Sequence, residues 1–277
     1  MPLAQLLCEG GNNSPDVRVL GKLLFGICQV KPQGGKYGMG AKIIARREAF
    51  GQNCVFGILD GDFVKDWQEP SDKPKEWKTN DGSVHFGWRW ERKEIENYLI
   101  DPIVVGKALG ENSLDILQYG TALELTKERI SIYQAARTAL SINRIRFEDI
   151  PSAFGHPRGE EKHLFPDALD QDSCATEIGK IVHRHQETQL VSPEAVTSSF
   201  KDLLPECTEG GMRNRYYLQA FAGKDLLWGM DRWFDANGFR GAWAFREKVL
   251  LGIRKTTDDI ADWLPEWTKL RESVDRL

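Results

Sequence analysis

Acidic residues recur in this chain at places where carboxylates do chemistry. Glu9 follows the apolar run Ala4–Cys8 directly, and Asp60-Gly61-Asp62 follows Cys54–Leu59. Glu96 lies just past a third apolar stretch, Ser83–Trp88. Carboxylates delivered from separate strand ends suit a hard cation: magnesium takes a few of them, keeps several waters and leaves room for a phosphate oxygen. One such ion lowers the pKa of an attacking water, and a second steadies the leaving oxygen of an in-line displacement. Glycine between the two aspartates permits a sharp backbone path that turns both toward one site. Each signal alone has a plain reading, since Asp and Gly form turns. Their joint occurrence at the ends of buried strands carries the argument.

The elements that must position these residues are legible in outline. Ala4–Cys8, Ile27–Val30, Cys54–Leu59 and Ser83–Trp88 read as strands, and apolar positions recur at helical spacing between Asp16 and Leu24 and from Ala41 to Phe50. Residues 63–82 read as a long polar loop, and Arg92–Leu99 as a helical turn stopped at Asp101-Pro102. Such alternation predicts an α/β fold with a mainly parallel sheet flanked by helices, whose ligands gather at the carboxyl ends of the strands. Past residue 102 the character changes. Leu114–Ile145, Cys174–Leu190, Pro193–Leu204, Leu218–Phe234 and Thr256–Leu277 read as helices, with 151–166 as a loop. The expected division is therefore a catalytic core at 1–102 and a mainly helical region at 103–277 that completes the site and supplies oligomer or partner contacts.

At 277 residues, with 41% hydrophobic and 28% charged residues, the composition is that of a globular chain. No apolar run reaches the roughly 18–20 residues that span a bilayer, and Met1–Gln5 has no basic leader, so a cytoplasmic protein without membrane contact is expected. Five cysteines are scattered without C-x-x-C spacing, which argues against a disulfide framework or zinc knuckle; Cys8, Cys28 and Cys54 read as reduced core residues. A net charge of −4 disfavours a protein that grips nucleic acid by bulk charge alone. Bound cations would reverse the local field at a carboxylate site.

Basic residues supply candidate nucleic-acid contacts. Lys36, Lys42 and Arg46 gather with Lys31 and Arg47 around the second strand and helix, and Gly34-Gly35-Lys36 offers backbone N–H groups to a phosphate. The spacing is not that of a nucleotide-binding P-loop, so ATP hydrolysis is not expected. Trp88-Arg89-Trp90 with Arg92 and Lys93 suits either stacking on unpaired bases or packing against a helix, and packing is the favoured reading. Arg240, Arg246, Lys248, Arg254 and Lys255 read as a solvated helix face or phosphate contacts. His183 and His185 diverge on a helix and read as surface rather than metal ligands. Trp243, Trp263 and Trp267 read as core or interface anchors.

The order Leu6-Leu7-Cys8-Glu9-Gly10, an Asp-led helix, a Pro-x-Gly-Gly-Lys turn, Leu59-Asp60-Gly61-Asp62 and Glu94-Ile95-Glu96-Asn97-Tyr98-Leu99 resembles the Toprim domain. Within it the chain is similar to nucleases of the overcoming-lysogenization-defect (OLD) family, and to the short AriB-like Toprim effectors of PARIS anti-phage defence. The likeness covers about the first hundred residues, and Gly223-Lys224-Asp225-Leu226-Leu227 extends it. The resemblance implies an endonuclease that uses one or two Mg2+ or Mn2+ ions on DNA or RNA, tRNA included. Glu9 would be metal ligand and general base, Asp60, Asp62 and Glu96 metal ligands, and Lys224 the residue that neutralises phosphate charge. Asp16 matches only across an insertion, with helix capping the equal alternative. Glu94 rivals Glu96, since residues two apart on a helix diverge. A separate ATPase partner and a homodimer after release from it are also implied. A non-catalytic subunit of an ATPase complex is the alternative function.

Overall fold

The computed structural model describes residues 5–50, 54–110, 113–143, 155–158, 163–165, 168, 170–188 and 192–277. In chain order the first half runs β1 (Gln5–Cys8), α1 (Pro15–Leu23), β2 (Gln29–Pro32), α2 (Met39–Phe50), β3 (Val55–Leu59), β4 (Lys75–Lys78), β5 (His85–Arg89), α3 (Glu96–Leu99), α4 (Pro102–Leu109) and α5 (Ile116–Ile142). Then follow β6 (His156–Arg158), β7 (His163–Phe165), α6 (Gln171–Thr188), α7 (Pro193–Cys207), α8 (Met212–Arg215), α9 (Tyr217–Ala220), α10 (Gly223–Gly229), α11 (Asp231–Ala236), α12 (Gly241–Lys255) and α13 (Pro265–Asp275), with a 3-10 turn at Ile260–Trp263.

The five-stranded sheet has the order β2-β1-β3-β5-β4. Pairing is parallel throughout except at the β4 edge. Every residue of β3 is buried, as a strand covered on both faces requires. On one face Leu7, Val55 and Leu59 pack with Met39 and Ile43 of α2, and Trp77 and Phe86 close that cluster. Cys8 and Cys28 are buried free thiols, and Cys54 is half-buried.

The expected α/β class with a mostly parallel sheet and a helical C-terminal region is observed. Several local readings change. The 63–82 loop contains β4, whose Lys-Glu-Trp-Lys charges suit an edge strand that must not pair further. The helical turn stops before Asp101-Pro102 as expected, and Pro102 also begins a new helix, with the Asp101 carboxylate accepting from the Ile103 N–H. Part of the expected 151–166 loop is the antiparallel pair β6–β7, and residues 151–154, 159–162 and 166 lie outside the described residues. Leu218–Phe234 is three short helices. Helix α12 carries the basic residues read as a helix face, and its start has no local signal: Asp231 accepts from Ala242 N–H at 2.7 Å.

The chain divides into two compact units. One comprises 1–138 and 203–277, and the other 139–202. The first holds the large sheet, α1–α4 and α8–α13. The second holds β6, β7 and α6, and within it the Asn143 amide donates to the Ser199 hydroxyl at 3.0 Å. Among the described residues no helix is long and apolar enough to cross a membrane.

Helix α13 is tied beneath the sheet edge by Glu266. Its carboxylate accepts from Glu91 N–H at 2.8 Å and from the Tyr98 hydroxyl at 2.6 Å, beside a ring cluster of Trp90, Tyr98 and Trp267. Burial pushes the Glu266 carboxyl up to about 7, against the pull of those donors. The folded protein therefore binds this proton more tightly than the unfolded chain. The stability that protonation confers is full below the ordinary value of 4.5, falls as pH rises toward 7, and is gone above it. Glu266→Gln is expected to remove this share of the slope, on the order of 2–3 kcal/mol, in denaturant titrations from pH 4.5 to 8.

Candidate active site

Sheet order explains why the acidic residues meet. Strands β1, β3 and β5 are parallel neighbours, so their carboxyl ends line one edge at intervals of about 4.8 Å. Glu9 leaves the first and Asp60 the second. The chain leaving the third passes through Trp90–Lys93 to Glu94 and α3, bringing Glu96 to the same edge. Glu9 Oε1 accepts from the backbone N–H of Asp60 at 3.3 Å, which fixes these two strand ends together.

Asp16 joins them. The N-cap of α1 is Ser14, whose hydroxyl accepts from Val17 N–H at 3.4 Å, so the capping role proposed for Asp16 falls to its neighbour. Gly10 makes this possible: its φ is +85°, and a Cβ there would lie 2.5 Å from the Ser14 Cβ. Gly10 also exchanges backbone hydrogen bonds with Gly34 at 2.8 and 3.0 Å. That bridge draws the Pro32–Lys36 turn alongside the site.

The proton affinities of these groups follow from their proximity. Burial raises the Asp60 carboxyl well above its ordinary range, and Asp16 and Glu9 add to it against the pull of Lys224. Burial likewise pushes Asp16 up to about 7, with Glu96 and Glu9 contributing. Glu9 is raised by burial and by Asp62. The buried Cys8 thiol is pushed up to about 12 by burial and by Asp16, Glu9 and Asp60. A strong negative potential thus sits at the β1–β3 edge.

Lys224, from α10, faces this potential. Its Nζ lies 3.1 Å from Glu96 and 3.5 Å from Glu94, and its backbone N–H donates to Glu94 at 2.9 Å. Burial pushes the ammonium down, but Glu94 and Glu96 outweigh it and the net shift is upward. Half of its side chain stays exposed, as a group that meets an incoming anion requires. Glu94 and Glu96 therefore both reach the site through Lys224 and need not compete for one direction. Glu96 is also 3.4 Å from Arg246 of α12, whose neighbour Glu247 pairs with Arg18 of α1 at 2.6 Å.

Asp62 is placed differently. It takes a left-handed φ of +54°, and its carboxylate is held by Lys36 at 2.7 Å and Arg89 at 3.5 Å. The sharp turn thus falls on the second aspartate, and Gly61 is needed for close approach instead. A Cβ at Gly61 would sit 2.5 Å from the Arg92 carbonyl oxygen and 2.9 Å from that of Trp90. Gly61→Ala is expected to displace the strand end and destabilise the fold by about 1–3 kcal/mol, read as a lowered denaturation midpoint.

Among the expected nucleic-acid contacts, Lys36 is committed to Asp62. Lys42 is exposed and donates to the Gln33 carbonyl at 3.2 Å, while Arg46 donates to the Gln5 side chain at 3.1 Å. Arg92 is corrected: it is buried, 2.7 Å from Asp101 and donating to the Asn97 carbonyl, so it holds the fold and offers nothing to a ligand. Trp88 and Trp90 are buried as well, as the packing reading has it. Trp263 and Trp267 are core residues, while Trp243 is exposed.

Sequence reasoning missed Asn97, Gln134 and Asp225. The Asn97 amide donates to the Phe221 carbonyl, and its oxygen accepts from Gly223 and Glu94 N–H. Gln134 donates to Asp225 at 2.6 Å and accepts from Ala222 N–H at 3.0 Å, and Arg137 pairs with Asp225. These contacts seat α10 and hence Lys224. One signal was available: Ser131, Gln134 and Thr138 form a polar line at helical spacing on α5, and all are buried.

The donor set has the chemistry of a divalent-cation site: several mutually repelling carboxylates, with the buried Glu96 Oε2 met by Lys224 Nζ at 3.1 Å. The spacing is less complete, because among the described residues no three His, Cys, Asp or Glu side chains converge tightly enough to hold an ion as they stand. Lys224 and Arg246 at Glu96, and Lys36 and Arg89 at Asp62, are the cations that neutralise these groups in this arrangement. No model of a known protein family matches the chain, and no curated protein matches it.

Proposed function

We propose that this chain is a Toprim-type phosphodiesterase, an endonuclease that uses Mg2+ or Mn2+ to cut DNA or RNA. The observation that carries the reading is the gathering of Glu9, Asp16, Asp60, Glu94 and Glu96 at one sheet edge, facing a half-exposed Lys224. Glu9, Asp60 and Asp16 would hold the ion, with Glu96 and Asp62 joining once their lysine partners turn to the substrate. When bound, the metal supplies a water of lowered pKa and a Lewis acid for the phosphate oxygen. Lys224 neutralises charge on the phosphate, and Lys36, released from Asp62, is placed to meet a neighbouring phosphate. Glu9 is the candidate proton acceptor, because burial raises its pKa and with it the basicity of its carboxylate. The resemblance adds a role in anti-phage defence under a separate ATPase partner.

A second reading rests on the same ion pairs. With Glu96 and Asp62 already neutralised internally, the edge would serve as a rigid non-catalytic module of an ATPase complex. Purified chain is to be incubated with plasmid, single-stranded DNA and tRNA in Mn2+ or Mg2+, with metal binding followed by calorimetry. Metal-dependent cutting that Glu9→Ala abolishes is the expected result. Absence of both metal binding and cutting sinks the nuclease reading and leaves the module.

A further inference from the structure

The amino ends of β3 and β5 hold a buried cation without a counter-charge. These strands pair from Gly57 and Gly87 onward, and just before that point a side chain of α2 takes their carbonyls. Arg47 Nε donates to the Val55 carbonyl at 2.7 Å, and Nη2 donates to the His85 carbonyl at 2.8 Å. The guanidinium lies over the Phe56 ring, 4.6 Å from its centroid. Arg47 is 8% exposed, yet among the described residues no carboxylate pairs with it. Buried charges are ordinarily paired, because an unpaired one loses its hydration without return.

A cleft opens beside this arginine. Arg47, Ser83, Val84, His85, Arg276 and Leu277 line a volume of about 390 Å3, the size of a small-molecule site. No Asp or Glu lines it. The acids nearest in sequence are engaged: Asp81 accepts from the Ser83 N–H and hydroxyl at 3.1 and 2.8 Å, and Glu272 accepts from Arg276 Nη2 at 3.4 Å. His85 gives its Nε2 to the Gly87 carbonyl at 2.7 Å. Arg47 Nη1, by contrast, makes no hydrogen bond among the described residues. An arginine fork with unused N–H groups beside a second arginine suits the oxygens of a phosphate group. Strands β3 and β5 run from this cleft toward Asp60 and Glu94. The cleft therefore lies at the opposite edge of the sheet from the acidic site, on the order of 15 Å along the strands.

We propose that this cleft binds the phosphate group of a small anion, inorganic phosphate or a phosphate monoester, between Arg47 and Arg276. Arg47 presents Nη1 from the floor, where its two carbonyl bonds hold the fork in place. Arg276 closes from the mouth once it leaves Glu272. The bound phosphate neutralises a buried charge that the chain itself leaves uncompensated. The inference does not depend on the nuclease reading, because no residue of the acidic site lines the cleft.

Calorimetry of the full chain at constant ionic strength tests the site, with inorganic phosphate and adenosine 5′-monophosphate as titrants and chloride as the blank. The parent chain is expected to bind at least one of them with a Kd on the order of 1 mM or tighter. Arg276→Glu should weaken that binding by about 10-fold or more with an unchanged circular dichroism spectrum, since the side chain is 74% exposed. Arg47→Lys keeps the charge but loses the fork, and should weaken it by about 10-fold. Lys224→Ala, at the acidic site, should leave the affinity unchanged. Whichever titrant binds more tightly identifies the source of the phosphate group. No saturable binding of either titrant, an affinity unchanged in Arg276→Glu, or an affinity lost in Lys224→Ala overturns the proposal.

Discussion

Asp60→Asn is expected to abolish metal-dependent cleavage, by about 10³-fold or more, while making the metal-free protein more stable. Both effects have one cause. Asp60 is half-buried, and its pKa is raised by burial and then by Asp16 and Glu9. A carboxyl whose folded pKa exceeds its unfolded value favours folding below the ordinary 3.8, and that advantage is lost as pH rises through the folded value. The neutral amide carries no such loss. The stability gap between variant and parent should therefore widen from pH 5 to pH 9, reaching about 3 °C or more in melting temperature. Mn2+ should raise the melting temperature of the parent and leave that of the variant nearly unchanged. Equal stability at every pH would show that Asp60 is not under the repulsion described, whatever happens to activity.

Asn97→Ala is expected to have the largest effect of any residue that touches no substrate. The side chain is fully buried, and its loss strips partners from the Phe221 carbonyl and from the N–H groups of Gly223 and Glu94. An abandoned buried polar group costs about 1–3 kcal/mol, so a loss of about 3 kcal/mol or more in unfolding free energy is expected. The same hydrogen bonds hold the start of α10 against α3. A Cβ at Gly223 would lie 2.4 Å from the Asn97 nitrogen, which shows how close the two segments run. Residual folded Asn97→Ala protein should retain metal binding at Glu9 and Asp60 while losing cleavage, because Lys224 is no longer held over Glu94 and Glu96. Asn97→Asp keeps the oxygen that accepts from Gly223 and Glu94 and should recover part of the stability. Full activity in Asn97→Ala would mean that Lys224 needs no such seat.

Glu9, Asp60 and the strands beneath them were readable because both properties are local. An apolar run of strand length that ends abruptly in a carboxylate states its geometry in consecutive residues. Parallel pairing followed from the same alternation, since helices inserted between strands leave little other way to close the sheet. Helix α4 and the start of α12 were not marked in the sequence, for complementary reasons. Proline is compatible with the first turn of a helix as well as with its end, and the cap of α12 comes from Asp231 on another helix.

The acidic strand ends and the α/β sheet that aligns them are therefore written in consecutive residues. Their relations to the rest of the chain were decided only in three dimensions. Asp16 became a site residue because Gly10 and Ser14 close the turn before it, leaving its carboxylate beside Glu9. Asp62, the equal of Asp60 in the motif, was diverted by Lys36 and Arg89. Lys224 meets Glu94 across 130 residues, and Arg246 meets Glu96 across 150. No local period encodes such pairings. They arise where helices from the end of the chain pack over the edge of a sheet built at its beginning, and burial there turns scattered acids and bases into one coupled group.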